Sequence, residues 1–170
     1  MKAQKFTLLM VDDDENDRFF LQTTFQSLDA RYRVQGLSSG NEAIAYLKGE
    51  GRFHDRDKFQ FPSYIITDLK MPDGYGLHLL EFIKKNPALS IIPVVMLSGS
   101  QDPDDIRHAY LLGASSFFSK PLSTQGLRTL VASIHGYWAQ CEVPAVDEDG
   151  YAVLTDSTGK AGGRYLKPSR

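Results

Sequence analysis

Apolar residues follow two alternating patterns along this chain: short unbroken runs, and longer segments in which they recur every three to four positions. Residues 6–11, FTLLMV, form the first run, which ends abruptly in four acids, Asp12, Asp13, Asp14 and Glu15. Leu21, Phe25 and Leu28 then recur at helical spacing, so a strand is expected to pass directly into a helix whose acidic first turn suits the positive end of its dipole. Residues 33–37 read as a weaker strand, and residues 40–47 as a helix with Ala43, Ile44 and Leu47 on one face. A polar loop over residues 49–62, rich in glycine and charge, delivers the chain to Tyr64, Ile65, Ile66 and Thr67. There β-branched and aromatic residues follow one another without alternation, as in a parallel strand buried on both faces. Pro72, Gly74 and Gly76 break that run before an amphipathic segment at 77–86.

The alternation continues. Residues 91–97 and 115–119 read as a fourth and fifth strand. The helix after the fourth opens on Asp102, Pro103, Asp104 and Asp105, with proline near its first position and acids in its first turn. The last helix, within 122–140, carries Leu127, Leu130, Val131 and Ile134 at helical spacing and ends near Tyr137 and Trp138. Five strand-then-helix units predict an α/β fold, a doubly wound parallel sheet with helices on both faces. The flavodoxin-like (βα)5 order 2-1-3-4-5 is the expectation. Residues 1–142 make this body. Residues 143–170 form a tail of different character, with acids at Asp147, Glu148 and Asp149 and glycines at Gly159, Gly162 and Gly163. A strand at 151–154 in a hairpin turning near 156–159, or an unstructured tail, are both open. Asp147 and Asp149 before Gly150 faintly resemble a calcium loop whose other ligand positions are absent.

Composition narrows the class. The 170 residues carry a net charge of -2, with 42% hydrophobic and 11% aromatic residues, enough for one well-formed core and neither disordered nor membrane-like. The slightly acidic balance, with no basic cluster, argues against nucleic-acid binding. No apolar run approaches the roughly 20 residues that span a bilayer, and Cys141 stands alone, so a cytoplasmic protein is expected. His54, His78, His108 and His135 lie in no metal-binding spacing, and Phe19, Phe20, Phe25, Phe82 and Phe118 are expected in the core.

The candidate chemistry sits where strands end: Asp12 and Asp13 after the first, Asp68 after the third, Ser98 after the fourth and Lys120 after the fifth. In the expected order the first and third strands are neighbours, so their acids converge at the carboxyl edge of the sheet. Two carboxylates about 4 Å apart repel by roughly 4 kcal/mol at an effective dielectric of 20, and three require a cation. Hard oxygen ligands of this kind suit Mg²⁺. Lys120 adds a positive charge for an incoming phosphoryl group, and the Ser98 hydroxyl a donor to one of its oxygens.

These residues resemble the motifs of the receiver domain of two-component response regulators, over residues 5 to about 141: the acidic pair in LLMVDDD, the acceptor in IITDLKMP, the hydroxyl in VVMLSGS and the lysine in FFSKP. The resemblance implies that Asp68 is the phosphoacceptor, that Asp13, Asp68 and the Lys70 carbonyl bind Mg²⁺ directly, and that Asp12 binds it through water. It implies a switch pair of Ser98 and Phe117, and a cis bond between Lys120 and Pro121. The partner it implies is a sensor histidine kinase or a phosphotransfer protein. The long 49–62 loop and the ending SIHGYWAQCEVP are similar to single-domain regulators that serve phytochrome-type histidine kinases, which dimerise through this end of the domain. A homodimer using Tyr137 and Trp138, with the segment 141–146, is therefore expected. Tyr75, Lys70 and the tail depart from the family pattern, and Lys70 bears on the lifetime of the phosphoryl group. Two other readings compete. A haloacid-dehalogenase-like phosphatase needs an aspartate two residues after its nucleophile, where this chain has Lys70. A phosphorylation-independent receiver-like scaffold would be favoured if the acidic pair or Lys120 were missing.

Overall fold

A computed structural model describes residues 6–72 and 76–143, with three short strands beyond them. Five parallel strands, β1 (Phe6–Val11), β2 (Tyr32–Leu37), β3 (Tyr64–Thr67), β4 (Val94–Ser98) and β5 (Ser116–Ser119), lie in the order β2-β1-β3-β4-β5. They alternate with α1 (Glu15–Leu28), α2 (Gly40–Lys48), α3 (Gly76–Lys85), α4 (Pro103–Leu111) and α5 (Thr124–Trp138). This is the flavodoxin-like doubly wound fold.

The pleat sorts one apolar run into two cores, because successive strand residues point to opposite faces. Leu8 and Met10 join Leu21 and Phe25 of α1 and Val131 and Ile134 of α5 in one cluster. Leu9 and Val11 join Ala43 of α2, Leu79 and Ile83 of α3 and Ala109 of α4 in the other. That is why β1 and β3 read as unbroken apolar runs: both of their faces are covered.

Several boundaries differ from the sequence reading for local reasons. The fourth strand begins at Val94, not at residue 91, because Pro93 has no N–H for the ladder and residues 90–92 are turned under Lys84. The last helix starts at Thr124, where the Ser123 side chain accepts from the Gly126 N–H as N-cap. Phe19 is 69% exposed and not in the core, since α1 turns Leu21, Thr24 and Phe25 inward and carries Phe19 away from that stripe. Beyond the body, β6 (Ala145–Val146), β7 (Ala152–Thr155) and β8 (Ala161–Gly162) form an antiparallel sheet in the order β6-β7-β8. The calcium-like acids at 147–149, and Tyr75, lie outside the described residues.

Candidate functional site

The ends of the sheet ladder place the polar residues. Just past β1, the Asp12 N–H donates to Leu37 O (3.0 Å), and just past β3, the Asp68 N–H donates to Val11 O (2.8 Å). Past β5, the Lys120 N–H donates to Ser98 O (2.8 Å). Main-chain hydrogen bonds thus hold the backbones of Asp12, Asp68 and Lys120 at the carboxyl edge. The acidic run after β1 divides its labour. Asp14 is the N-cap of α1, accepting from the Asn16 and Asp17 N–H groups at 2.8 and 3.0 Å. Asp12 is turned inward with only 2% exposure, its Oδ1 accepting from the Asp14 N–H and its carbonyl from Arg18 (2.6 Å). Asp13 faces solvent.

Lys120 is the centre of the cluster. Its Nζ donates to Asp12 Oδ2 (2.6 Å), Asp17 Oδ2 (2.8 Å) and Asp68 Oδ2 (3.1 Å), which occupies all three ammonium protons. Burial alone would push this ammonium down, but the hydrogen bonds it donates to Asp12 and Asp17, with the charges of Asp12 and Asp68, outweigh it and hold Lys120 above the ordinary lysine value. Burial likewise pushes the Asp12 carboxyl up, against the opposing hydrogen bond and charge of Lys120. Asp68 also accepts from the Leu69 N–H at 2.6 Å and, at 3.4 Å, from that of Lys70.

The donor set fits a divalent cation. One carboxylate oxygen from each of Asp12, Asp13 and Asp68 lies within 4.8 Å of the others, and of the four acids gathered here, counting Asp17, the ammonium pairs with three and leaves Asp13 over. Such a surplus of hard oxygens is what Mg²⁺- or Mn²⁺-type ions relieve. Ser98 is buried beside this cluster, its hydroxyl oxygen accepting from the Ser100 N–H at 3.2 Å. Phe117 is half-buried against the α2–α4 side of the core, and its N–H donates to the Tyr110 hydroxyl at 3.1 Å.

Three site residues escaped the sequence reading. Asp17, on the first turn of α1, became a Lys120 partner only through the angle at which α1 meets the sheet. Asp105 was read as a helix-start acid, yet it accepts from the Ser100 hydroxyl (2.5 Å) and pairs with Lys70 Nζ at 3.4 Å. The Ser100 hydrogen bond, with Lys70 nearby, holds its carboxyl below the usual range. Gly76 reads in the sequence only as one of the residues that end the third strand run. A Cβ there would stand 1.9 Å from Asp68 O, so only glycine lets α3 begin against the acceptor loop.

Two expectations need correction. The Lys120–Pro121 bond is trans, since no cis peptide bond occurs among the described residues. Trans is the intrinsically favoured isomer by about 0.5–1 kcal/mol, and in it Lys120 already reaches its three carboxylates. Trp138 is only 9% exposed, stacked on Tyr64 with ring centroids 5.2 Å apart, so it is not a surface residue. Adjacent helical positions point about 100° apart, and the stripe of Val131 and Ile134 takes Trp138 inward while leaving Tyr137 64% exposed.

Comparison with known proteins agrees with this geometry. The model of the response regulator receiver domain matches residues 8–132. A probable methanogenesis regulatory protein, FilR2, of Methanothrix harundinacea is 33% identical over 133 residues, covering 78% of this chain and 83% of the relative. The response regulator Rcp1 of Synechocystis is 29% identical, covering 78% and 88%. Among solved structures, the phosphorylated cyanobacterial phytochrome response regulator RcpA superposes with a TM-score of 0.78 at 30% identity, covering 83% of this chain and 99% of that one. The Mn²⁺-bound form of Rcp1 gives 0.76 at 28% identity, covering 82% and 99%. This chain belongs to the response regulator receiver domain family, signalling proteins that take a phosphoryl group on an aspartate with the help of a divalent metal.

Proposed function

We propose that Asp68 is the phosphoacceptor and that its donor is a phytochrome-type histidine kinase, directly or through a phosphotransfer protein. The observation that carries the first half is the convergence of Asp12, Asp17 and Asp68 on Lys120 at 2.6–3.1 Å, with Asp13 completing a group of Asp12, Asp13 and Asp68 oxygens within 4.8 Å. The likeness to Rcp1 and to the phytochrome response regulator RcpA supports the second half. An Asp68 carboxylate oxygen attacks the phosphorus of the phosphohistidine; the P–O bond forms as the P–N bond breaks, and the imidazole leaves with its electron pair and takes up a proton. Lys120 neutralises charge on the transferred group, and the Ser98 hydroxyl donates to one of its oxygens. Mg²⁺, held by Asp13, Asp68 and the Lys70 carbonyl directly and by Asp12 through water, supplies the remaining charge neutralisation when bound. The same groups let the protein catalyse its own phosphorylation from small donors and its own dephosphorylation.

On phosphorylation Ser98 moves toward Asp68 and Phe117 turns inward, changing the face of α4, β5 and α5. Leu111, Leu122 and Tyr137 are exposed there, and we read this face as the homodimer surface, with Tyr137 and not Trp138 at its centre. We read residues 1–142 as the receiver body and 143–170 as a tail that begins at Val143, which still packs against the core. The lone cysteine fits a reducing cytoplasm and the charge of -2 disfavours nucleic acid as a partner.

The test is transfer of a labelled phosphoryl group from an autophosphorylated phytochrome-type kinase to wild type and to Asp68→Asn. An acid- and base-labile label lost in the variant and on chelation of metal is expected; label persisting on Asp68→Asn would overturn the assignment. Sedimentation of wild type and Tyr137→Ala, with and without phosphodonor, tests the dimer, and a wild type monomeric at micromolar concentration in both states refutes it.

A further inference from the structure

The ammonium of Lys70 is diverted away from the residue it lies beside in sequence. Its backbone N–H touches Asp68 Oδ1 at 3.4 Å, yet its Nζ pairs with Asp105 Oδ2 in the first turn of α4, at 3.4 Å. The same Asp105 oxygen accepts from the Ser100 hydroxyl at 2.5 Å. Ser100 in turn donates its N–H to the Ser98 hydroxyl oxygen (3.2 Å), and its own hydroxyl oxygen accepts from the Asp102 N–H (3.4 Å). One carboxylate therefore ties the loop after β3 to the loop after β4 and to the start of α4. The two side chains are unequally placed: Lys70 is 59% exposed and free to swing, whereas Asp105 is 24% exposed and held by Ser100.

We propose that Asp105 is a positioning residue that parks Lys70 while Asp68 is unmodified, and that the phosphoryl group on Asp68 draws Lys70 off it, releasing the start of α4 from the acceptor loop. An exposed ion pair of this length is weak. A phosphoryl group, with close to two negative charges and a position next to the Lys70 backbone, competes well against a single carboxylate for the same flexible ammonium. Ser100 stays with Asp105, so the loop after β4 and the first turn of α4 move as one piece. Once on the phosphoryl oxygens, Lys70 stabilises their charge more in the ground state than in a loose, metaphosphate-like transition state, and its side chain covers the approach of water. Lys70 therefore lengthens the life of the acyl phosphate, and Asp105 shortens it by competing for Lys70.

This rests on Asp68 as the phosphoacceptor, and a four-way cycle of wild type, Lys70→Ala, Asp105→Asn and the double variant tests it with two readouts. In the first, hydrogen exchange of the unmodified proteins, both single variants should raise exchange over residues 99–106 by about two- to fivefold, with no further rise in the double variant. Lys70→Arg, which keeps the pairing, should exchange like wild type. In the second, decay of the acyl phosphate, Asp105→Asn should lengthen the lifetime by about two- to fivefold in the wild-type background and leave it unchanged in the Lys70→Ala background. Equal effects of Asp105→Asn in both backgrounds, or exchange unaltered by Lys70→Ala, would overturn the proposal. A wild type that forms no acyl phosphate would overturn the phosphoacceptor reading and the release step together, while the exchange cycle still decides whether Asp105 parks Lys70.

Discussion

Two lysines at opposite edges of the sheet are drawn inward by different kinds of partner. At the carboxyl edge Lys120 donates to three carboxylates. At the amino edge Lys84, on the last turn of α3, donates to Ser90 O and Ile92 O, both at 2.8 Å, and pairs with no carboxylate among the described residues. Burial pushes Lys84 below the ordinary lysine value, while the acids around Lys120 reverse that effect. A carbonyl is a fixed dipole and stays where the backbone puts it, so Lys84 is a clamp on the turn leading into β4. Carboxylates are exchangeable charges that a metal ion can take over and a phosphoryl group can replace. The carboxyl edge, with four acids to one ammonium, is left unbalanced until something positive arrives, and that surplus is what equips it to bind.

The difference can be broken most sharply by removing each ammonium in turn. Lys120→Met should slow phosphorylation of Asp68 by about 100-fold or more, the usual cost of losing a charge-stabilising donor, whereas Lys84→Met should stay within about twofold of wild type. Acyl phosphate formation from a small donor measures both, and equal losses would erase the distinction. Stability should report the opposite side. Lys84→Met strands two carbonyls, costs about 2–3 kcal/mol and lowers Tm by roughly 5–10 °C in calorimetry. An unchanged Tm would mean that the clamp contributes nothing. Asp13→Asn, by contrast, should raise Tm by about 2–4 °C in metal-free buffer, because it removes repulsion and no partner, and the gain should shrink as Mg²⁺ is added. A fall in Tm would show that the surplus charge is not a source of instability.

The smallest effect concerns an acid with its own cation. Asp29 pairs with Arg31 at 2.6 Å, and the hydrogen bonds from Arg31 hold its carboxyl down to about 2. A depressed folded value means stability that is present above the unfolded value near 3.8 and lost as pH falls from there toward about 2. Arg31 is half exposed, so solvent screening limits the effect to about 1–2 °C in Tm. Melting of wild type and Asp29→Asn at pH 5 and at pH 2.5 should show the variant's deficit closing at the lower pH; a deficit that widened would reverse the sign.

How far the chain could be read in advance differs residue by residue. Asp12, Asp13, Asp68, Ser98 and Lys120 were legible because each stands at or just past the end of a strand run, and in a parallel sheet that position sends it to the carboxyl edge. The two-sided core was legible for the same local reason, since an unbroken run of Val, Ile and Leu needs cover on both faces. Asp17 carries no such signal: it looks like any acid in a first helical turn, and only the angle of α1 against the sheet brings it 2.8 Å from Lys120. Tyr137 and Trp138 were both expected at a surface, but Trp138 continues the buried stripe of Val131 and Ile134 and stacks on Tyr64, a contact that exists only once α5 rests on the sheet. The pairing of Lys70 with Asp105 joins the loop after β3 to the first turn of α4, 35 residues further on, and no local pattern announces it. Periodicity along a chain encodes which face of each element is buried, because burial is a local requirement. Which charges meet is set by the rigid-body placement of one packed element on another, and that was decided only when the two cores closed on the sheet.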